Sequence, residues 1–182
     1  MKIAKLQKQA INEAIKLLNN GGVVIFPTDT VYGFLALVKS KKAVNKIYKI
    51  KKRPKSKPLP IFVKDLNMAK QMAEISEKQE KILKRHWPGK YTFILNKKNS
   101  NKTIALRIPK YKPLNDLLKK INKPLAQTSV NISGKEFLIK IEDIKNQFKN
   151  YKILIIGAEK LKKSKPSKII DLTKNNPKIL RK

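Results

Sequence analysis

Apolar positions recur along the chain with two periods, and the switches between them mark the elements. Between Lys5 and Asn20, Leu6, Ala10, Ala14, Leu17 and Leu18 keep helical spacing, and Asn19-Asn20-Gly21-Gly22 ends the run. Val23-Val24-Ile25-Phe26 is then apolar without interruption, the pattern of a strand buried on both faces, and Pro27 removes a ladder donor and stops it. Gly33 to Val38 repeats that pattern. Ser40 caps a predicted helix carrying Ala43, Val44, Ile47 and Tyr48, which ends before Pro54. Leu59 to Val63 reads as a strand, Asp65 as the cap of a short helix through Ala69, Met72 and Ala73, and Ser76 with Gln79 as a capping box.

The second half continues in the same way. Tyr91 to Leu95 and Thr103 to Ile108 flank a polar loop and suit an antiparallel pair. Leu114, Leu117, Leu118 and Ile121 mark a helix, Leu125 to Thr128 a strand, Ile141, Ile144 and Phe148 another helix, and Ile153 to Ile156 a strand. Lys168 to Leu172 and Ile179-Leu180 close the chain as strands, with a lysine-rich, linker-like stretch from Glu159 to Lys168 before them. Strands and helices interleave without strict alternation. The predicted fold class is therefore α/β (α+β), a mixed sheet with helices packed on it.

Composition narrows the chemistry more than it changes this picture. With 182 residues, 41% of them hydrophobic, residues 1–182 can fill one domain, and no apolar run approaches the length of a membrane span. The amino terminus shows no signal-peptide core, so the chain is expected in the cytoplasm. The absence of cysteine excludes disulfides and thiolate zinc sites, and a single histidine, His86, argues against a Ser-His triad or a histidine metal site. No dedicated metal ligands are assigned; a hard, oxygen-bound ion such as magnesium is the only metal chemistry left open. A net charge of +32 invites polyanions such as RNA, yet lysines spread from end to end serve a solvated surface equally well.

Candidate chemistry sits at strand ends and turns. Thr28, Asp29, Thr30 and Tyr32 follow the first strand at once, although alone they read as a turn satisfying its own backbone. Lys51 and Arg53, two apart at a helix end, can both face a phosphate. Arg107 lies between Leu106 and Ile108 and needs an anionic partner if buried; with 44 basic residues against 12 acidic ones, an external anion is expected. Ser129 and Asn131 supply neutral oxygens and an amide, and Ser167 stands at the start of the penultimate strand. Neither Gly-x-x-x-x-Gly-Lys-Ser nor Gly-x-Gly-x-x-Gly occurs.

Set together, these segments resemble a known family. Pro27-Thr28-Asp29-Thr30-Val31-Tyr32-Gly33, Lys51-Lys52-Arg53-Pro54, Trp87-Pro88-Gly89, Ala105-Leu106-Arg107, Ser129-Val130-Asn131-Ile132-Ser133-Gly134 and Ser167-Lys168-Ile169-Ile170-Asp171 occur in the order and spacing of YrdC-like proteins, the L-threonylcarbamoyladenylate synthases. The resemblance runs from about Lys5 to Leu180. It implies a twisted mixed parallel and antiparallel sheet with surrounding helices and a basic concave cleft, in the short, single-domain type. It also implies a nucleotidyltransferase that joins L-threonine, bicarbonate or CO2, and ATP into threonylcarbamoyl-AMP, releasing pyrophosphate. That product would pass to a tRNA threonylcarbamoyl-transferase complex for t6A formation at tRNA adenosine 37. By the same resemblance Lys51, Arg53, Ser129 and Asn131 form a catalytic tetrad for nucleotide phosphate and its Mg2+. Thr30, Tyr32 and Arg107 surround threonine, with Thr28 and Ser167 nearby. Asp29 stands where many members have Glu, and Val130 where many have Ala. The alternative is a non-catalytic RNA-binding or ribosome-maturation module using the basic surface. The related carbamoyl-transfer domain of hydrogenase-maturation proteins is disfavoured by the missing zinc-binding cysteines and by length.

Overall fold

Uninterrupted apolar runs place side chains on both faces of a sheet, and a computed structural model covering residues 2–158, 164–174 and 176–182 shows how those faces are covered. In chain order the elements are β1 (Lys2–Lys5), α1 (Lys8–Asn19), β2 (Val24–Phe26), β3 (Gly33–Leu37), α2 (Lys41–Lys51), β4 (Ile61–Phe62), α3 (Leu66–Met72) and α4 (Glu77–His86). There follow β5 (Tyr91–Asn96), β6 (Thr103–Arg107), α5 (Lys112–Ile121), β7 (Leu125–Ser129), α6 (Ile141–Phe148), β8 (Leu154–Gly157), β9 (Lys168–Asp171) and β10 (Lys178–Arg181). The strands form one mixed sheet in the order β1-β8-β2-β3-β7-β4-β6-β5-β9-β10. β8 is parallel to both β1 and β2, β4 to β6 and β5 to β9, while β3 is antiparallel to β2 and β7.

Alternation along β2 and β3 divides the core. Val24, Phe26, Leu35 and Leu37 face α1 and α5, whereas Ile25, Phe34 and Ala36 face α2 and α6. A third cluster, built on Phe93, Leu95, Leu106 and Leu83, packs α3 and α4 against the other half of the sheet. Helix starts follow the predicted caps. Ser40 Oγ accepts from Ala43 N, Asp65 Oδ1 from Met68 N, and Ser76 with Gln79 completes a reciprocal capping box. α2 ends when Lys52 turns left-handed at φ 49° and Arg53 N bonds back to Tyr48 O at 3.0 Å, a Schellman-type closure.

Two expectations shift. The amino-terminal segment contributes an edge strand before α1, which short, lysine-flanked Ile3-Ala4 does not announce; the pairing comes from distant β8, with Lys2 opposite Leu154. The predicted strand over Leu59–Val63 narrows to β4, because Pro58 and Pro60 carry no N–H for a ladder. Of the linker-like stretch, residues 159–163 lie outside the described residues.

Candidate functional site

The turn after β2 is held from within. Thr28 Oγ1 donates to Val31 O at 2.7 Å and accepts from Thr30 N at 3.0 Å. Its only proton is thereby used, so in the 3.0 Å contact between the two hydroxyls Thr30 is the donor. Thr30 is thus left with lone pairs to offer. Tyr32 leaves the turn for the core, 1% exposed, and its hydroxyl accepts from Ala158 N at 3.1 Å beyond the end of β8. Burial raises its pKa.

Arg107, at the end of β6, is 2% exposed, and the partner that burial demands is the protein's own. Asp29 Oδ1 accepts from Arg107 Nη2 at 2.6 Å, and Asp29 Oδ2 from Lys110 N at 3.1 Å. Arg107 Nε donates to Gly89 O at 3.0 Å. Gly89 is required there, since a Cβ would meet His86 O at 2.3 Å. Where an external anion is expected, a carboxylate of the chain takes one nitrogen of Arg107: the scarcity of acidic residues said nothing about where each one lies. Desolvation lowers the Arg107 pKa, Asp29 opposes that shift, and the nearby Arg181 adds to it.

At the end of α2 the two cations part company. Lys51, 2% exposed, donates to Ser129 O at 2.5 Å, Asn131 O at 2.8 Å and Asn131 Oδ1 at 2.7 Å. Burial first, and the Arg53 cation second, lower its pKa to about 7, while three acceptors around one nitrogen favour the ammonium. Arg53, beyond the left-handed Lys52, donates from Nε to Lys57 O at 2.9 Å and from Nη2 to Pro58 O at 3.1 Å. Ser129 Oγ donates to Asn131 Oδ1 at 2.8 Å.

From the far edge of the sheet, Ser167 Oγ meets Thr92 Oγ1 at 2.9 Å, and Arg181 on β10 clasps Ser167 O through Nε at 2.8 Å and Nη2 at 2.6 Å. Nothing in Lys178-Ile179-Leu180-Arg181 reveals this role, because it depends on β10 folding back antiparallel on β9.

These groups converge on a cavity of about 390 Å³ lined by Thr30, Arg53, Arg107, Ser129, Ser167 and Arg181, with Ile94, Ala105 and Ile169 among its apolar walls. Thr28, Tyr32, Lys51 and Asn131 do not line it; they stand behind residues that do. Larger hollows exist, such as one of about 670 Å³ between α1 and α5, but its described rim of lysines, aliphatic carbon, Gln7 and Asp116 has no hydroxyls or arginines. Among the described residues, the smaller cavity's wall carries three arginines and no carboxylate, a lining suited to an anionic ligand. Among the described residues, no three His, Asp or Glu side chains gather to hold a metal.

The family model for the Sua5, YciO and YrdC domain, described as "Telomere recombination", matches residues 16–182. The chain belongs to the Sua5/YciO/YrdC family. Within it, a putative threonylcarbamoyl-AMP synthase of Methanocaldococcus jannaschii is 36% identical over 94% of this chain and 86% of its own. The uncharacterized protein YciO of Escherichia coli K12 is 29% identical over 96% of this chain and 89% of its own. Among solved family structures, E. coli YciO superposes with a TM-score of 0.92 at 27% identity, covering 100% of this chain and 96% of that one. Sua5 of P. abyssi in complex with L-threonine superposes with a TM-score of 0.88 at 30% identity, covering 100% of this chain and 57% of that longer one. The mixed sheet with surrounding helices is the fold of this family. Several relatives bear the name threonylcarbamoyl-AMP synthase, which supports an enzyme.

Proposed function

We propose that the protein is an L-threonylcarbamoyladenylate synthase, forming threonylcarbamoyl-AMP and pyrophosphate from L-threonine, bicarbonate or CO2, and ATP. The observation that carries this reading is the cavity wall: Arg53, Arg107 and Arg181 around hydroxyl oxygens, with no carboxylate among the described lining residues and Asp29 holding Arg107 from behind the wall. In this assignment Arg53 and Arg181 receive the nucleotide phosphates and Arg107 the threonine carboxylate. Arg107 keeps Nη1 for that contact while Asp29 and Gly89 O hold its other nitrogens. Thr30, an acceptor by proton count, takes an N–H from the amino acid, and Ser129 and Ser167 line the remaining wall.

The reaction asks for positioning and charge neutralisation. The threonine amine adds to CO2 and loses a proton to give a carbamate; a carbamate oxygen then attacks the α-phosphorus as pyrophosphate leaves on the opposite side. Arginines fixed by main-chain carbonyls are already aimed where phosphate charge shifts, and removing one such donor costs about 10²-fold or more in rate. Magnesium arriving with ATP would neutralise phosphate charge; among the described residues the lining offers it neutral oxygens such as Ser129 Oγ and no carboxylate, which fits a metal carried by the nucleotide better than a resident one. The labile adenylate would then pass to the complex that modifies tRNA adenosine 37.

The test is pyrophosphate release from purified protein with ATP, threonine, bicarbonate and magnesium. Release should require all three substrates and fall about 100-fold in Arg53→Ala. Binding of ATP and threonine without any release would sink the enzyme reading and return the protein to the RNA-binding alternative.

A further inference from the structure

Lys51 looks, from its spacing to Arg53, like a phosphate ligand, and the hydrogen-bond count leaves it no proton for that purpose. An ammonium has three N–H donors. All three are spent on Ser129 O, Asn131 O and Asn131 Oδ1, at 2.5, 2.8 and 2.7 Å. The main chain of Lys51 joins the same turn, its carbonyl accepting from Ser133 N at 2.8 Å. The side chain is 2% exposed and absent from the cavity wall, whereas Arg53 and Ser129 are on it.

Asn131 transmits the contact. Its Nδ2 donates to Ile132 O at 3.0 Å and Lys135 O at 2.6 Å, which fixes the amide so that Oδ1 faces inward. That oxygen accepts from both Lys51 Nζ and Ser129 Oγ. The Ser129 proton is therefore committed to Asn131, and the lone pairs of Ser129 Oγ are what the cavity meets.

We propose that Lys51 is a positioning residue that never touches the nucleotide: through Asn131 it clamps the turn after β7 and orients Ser129 as a hydrogen-bond acceptor. This rests on the synthase reading only for the name of the ligand. The clamp itself is a property of α2 and the turn.

The experiment compares Lys51→Met, Asn131→Ala and their double variant with Ser129→Ala and Arg53→Ala, measuring ATP and threonine affinity by calorimetry and amide exchange across residues 129–138. Lys51→Met and Asn131→Ala are expected to weaken the same ligand as Ser129→Ala, each by about tenfold. The double variant should lie within about twofold of the weaker single, because both cut one chain of contacts. Exchange of the Val130 and Ser133 amides should accelerate in Lys51→Met while the β3–β7 ladder stays protected. Multiplicative loss in the double variant, or ATP weakened by Lys51→Met alone, would show direct phosphate contact and overturn the proposal. Unchanged exchange at Val130 and Ser133 would overturn it as well. Should Lys51→Met fold poorly, Asn131→Ala with intact Lys51 decides through the same exchange and Ser129 comparison. A wild-type protein that binds ATP and releases no pyrophosphate would defeat the synthase reading and leave the exchange result to decide the clamp.

Discussion

Asp29 and Arg107 show how one residue's meaning depends on a partner found only in three dimensions. In the sequence Asp29 is a polar turn residue and Arg107 an isolated cation in an apolar strand; in the fold they form an ion pair at 2.6 Å with side chains 6% and 2% exposed. Such a pair contributes little net stability over apolar replacements, yet breaking it leaves a buried charge without its counterpart. Asp29→Asn should therefore destabilise the protein by roughly 3–5 kcal/mol in urea unfolding. Asp29→Leu with Arg107→Met should cost less than either single change. A cost for the double variant equal to the sum of the two single costs would mean that the two side chains do not depend on each other. Thr28 and Tyr32 carry the same lesson in milder form. The local reading of Thr28 as a residue closing its own turn agrees with the structure, and Tyr32 ties that turn to Ala158 without lining the cavity.

Among elements, α3 and α4 meet through Glu80, whose carboxylate takes Lys70 on α3 at 2.6 Å and Lys84 one turn on at 2.7 Å. Those two hydrogen bonds hold its pKa down to about 2. A carboxylate depressed in the folded state binds fewer protons there than in the unfolded chain, so its contribution is complete above the ordinary Glu value of about 4.3 and is lost as pH falls through about 2. Melting temperatures of wild type and Glu80→Gln should thus differ most at neutral pH and converge on acidification across that window. A difference constant with pH would exclude an ionic origin. The capping signals at Ser40, Asp65 and Ser76 needed no tertiary information, since a cap satisfies N–H groups two or three residues away. β1 and β10 were less legible, because an edge strand takes its identity from the strand it joins. β10 matters most: it carries Arg181 back onto Ser167 and so completes the cavity.

For the whole molecule, a charge of +32 makes RNA adhesion expected irrespective of the reaction catalysed. Its signature is a steep fall in affinity with salt, shared by unrelated RNAs and unaltered by Ser129→Ala. Filter binding across a salt series checks this; a sequence preference that survives high salt and disappears in Ser129→Ala would place RNA in the cavity instead. Family relatives include both named synthases and uncharacterized YciO proteins at comparable overall likeness, so the fold does not choose between them and the site must.

The apolar runs at Val23–Phe26 and Gly33–Val38, the helical periods, the caps and the motif spacing were enough to determine a mixed α/β sheet and its family, because each depends on neighbours within a few residues or on a fixed order of segments. Tertiary structure alone decided which polar groups face the cavity. Thr30, Arg53, Arg107, Ser129 and Ser167 reach it and Lys51, Asn131, Thr28 and Tyr32 stand behind, because a buried donor must find an acceptor wherever the fold brings one. Spacing places Lys51 and Arg53 side by side on one helix end; hydrogen-bond satisfaction turns the first into the turn and leaves the second on the wall.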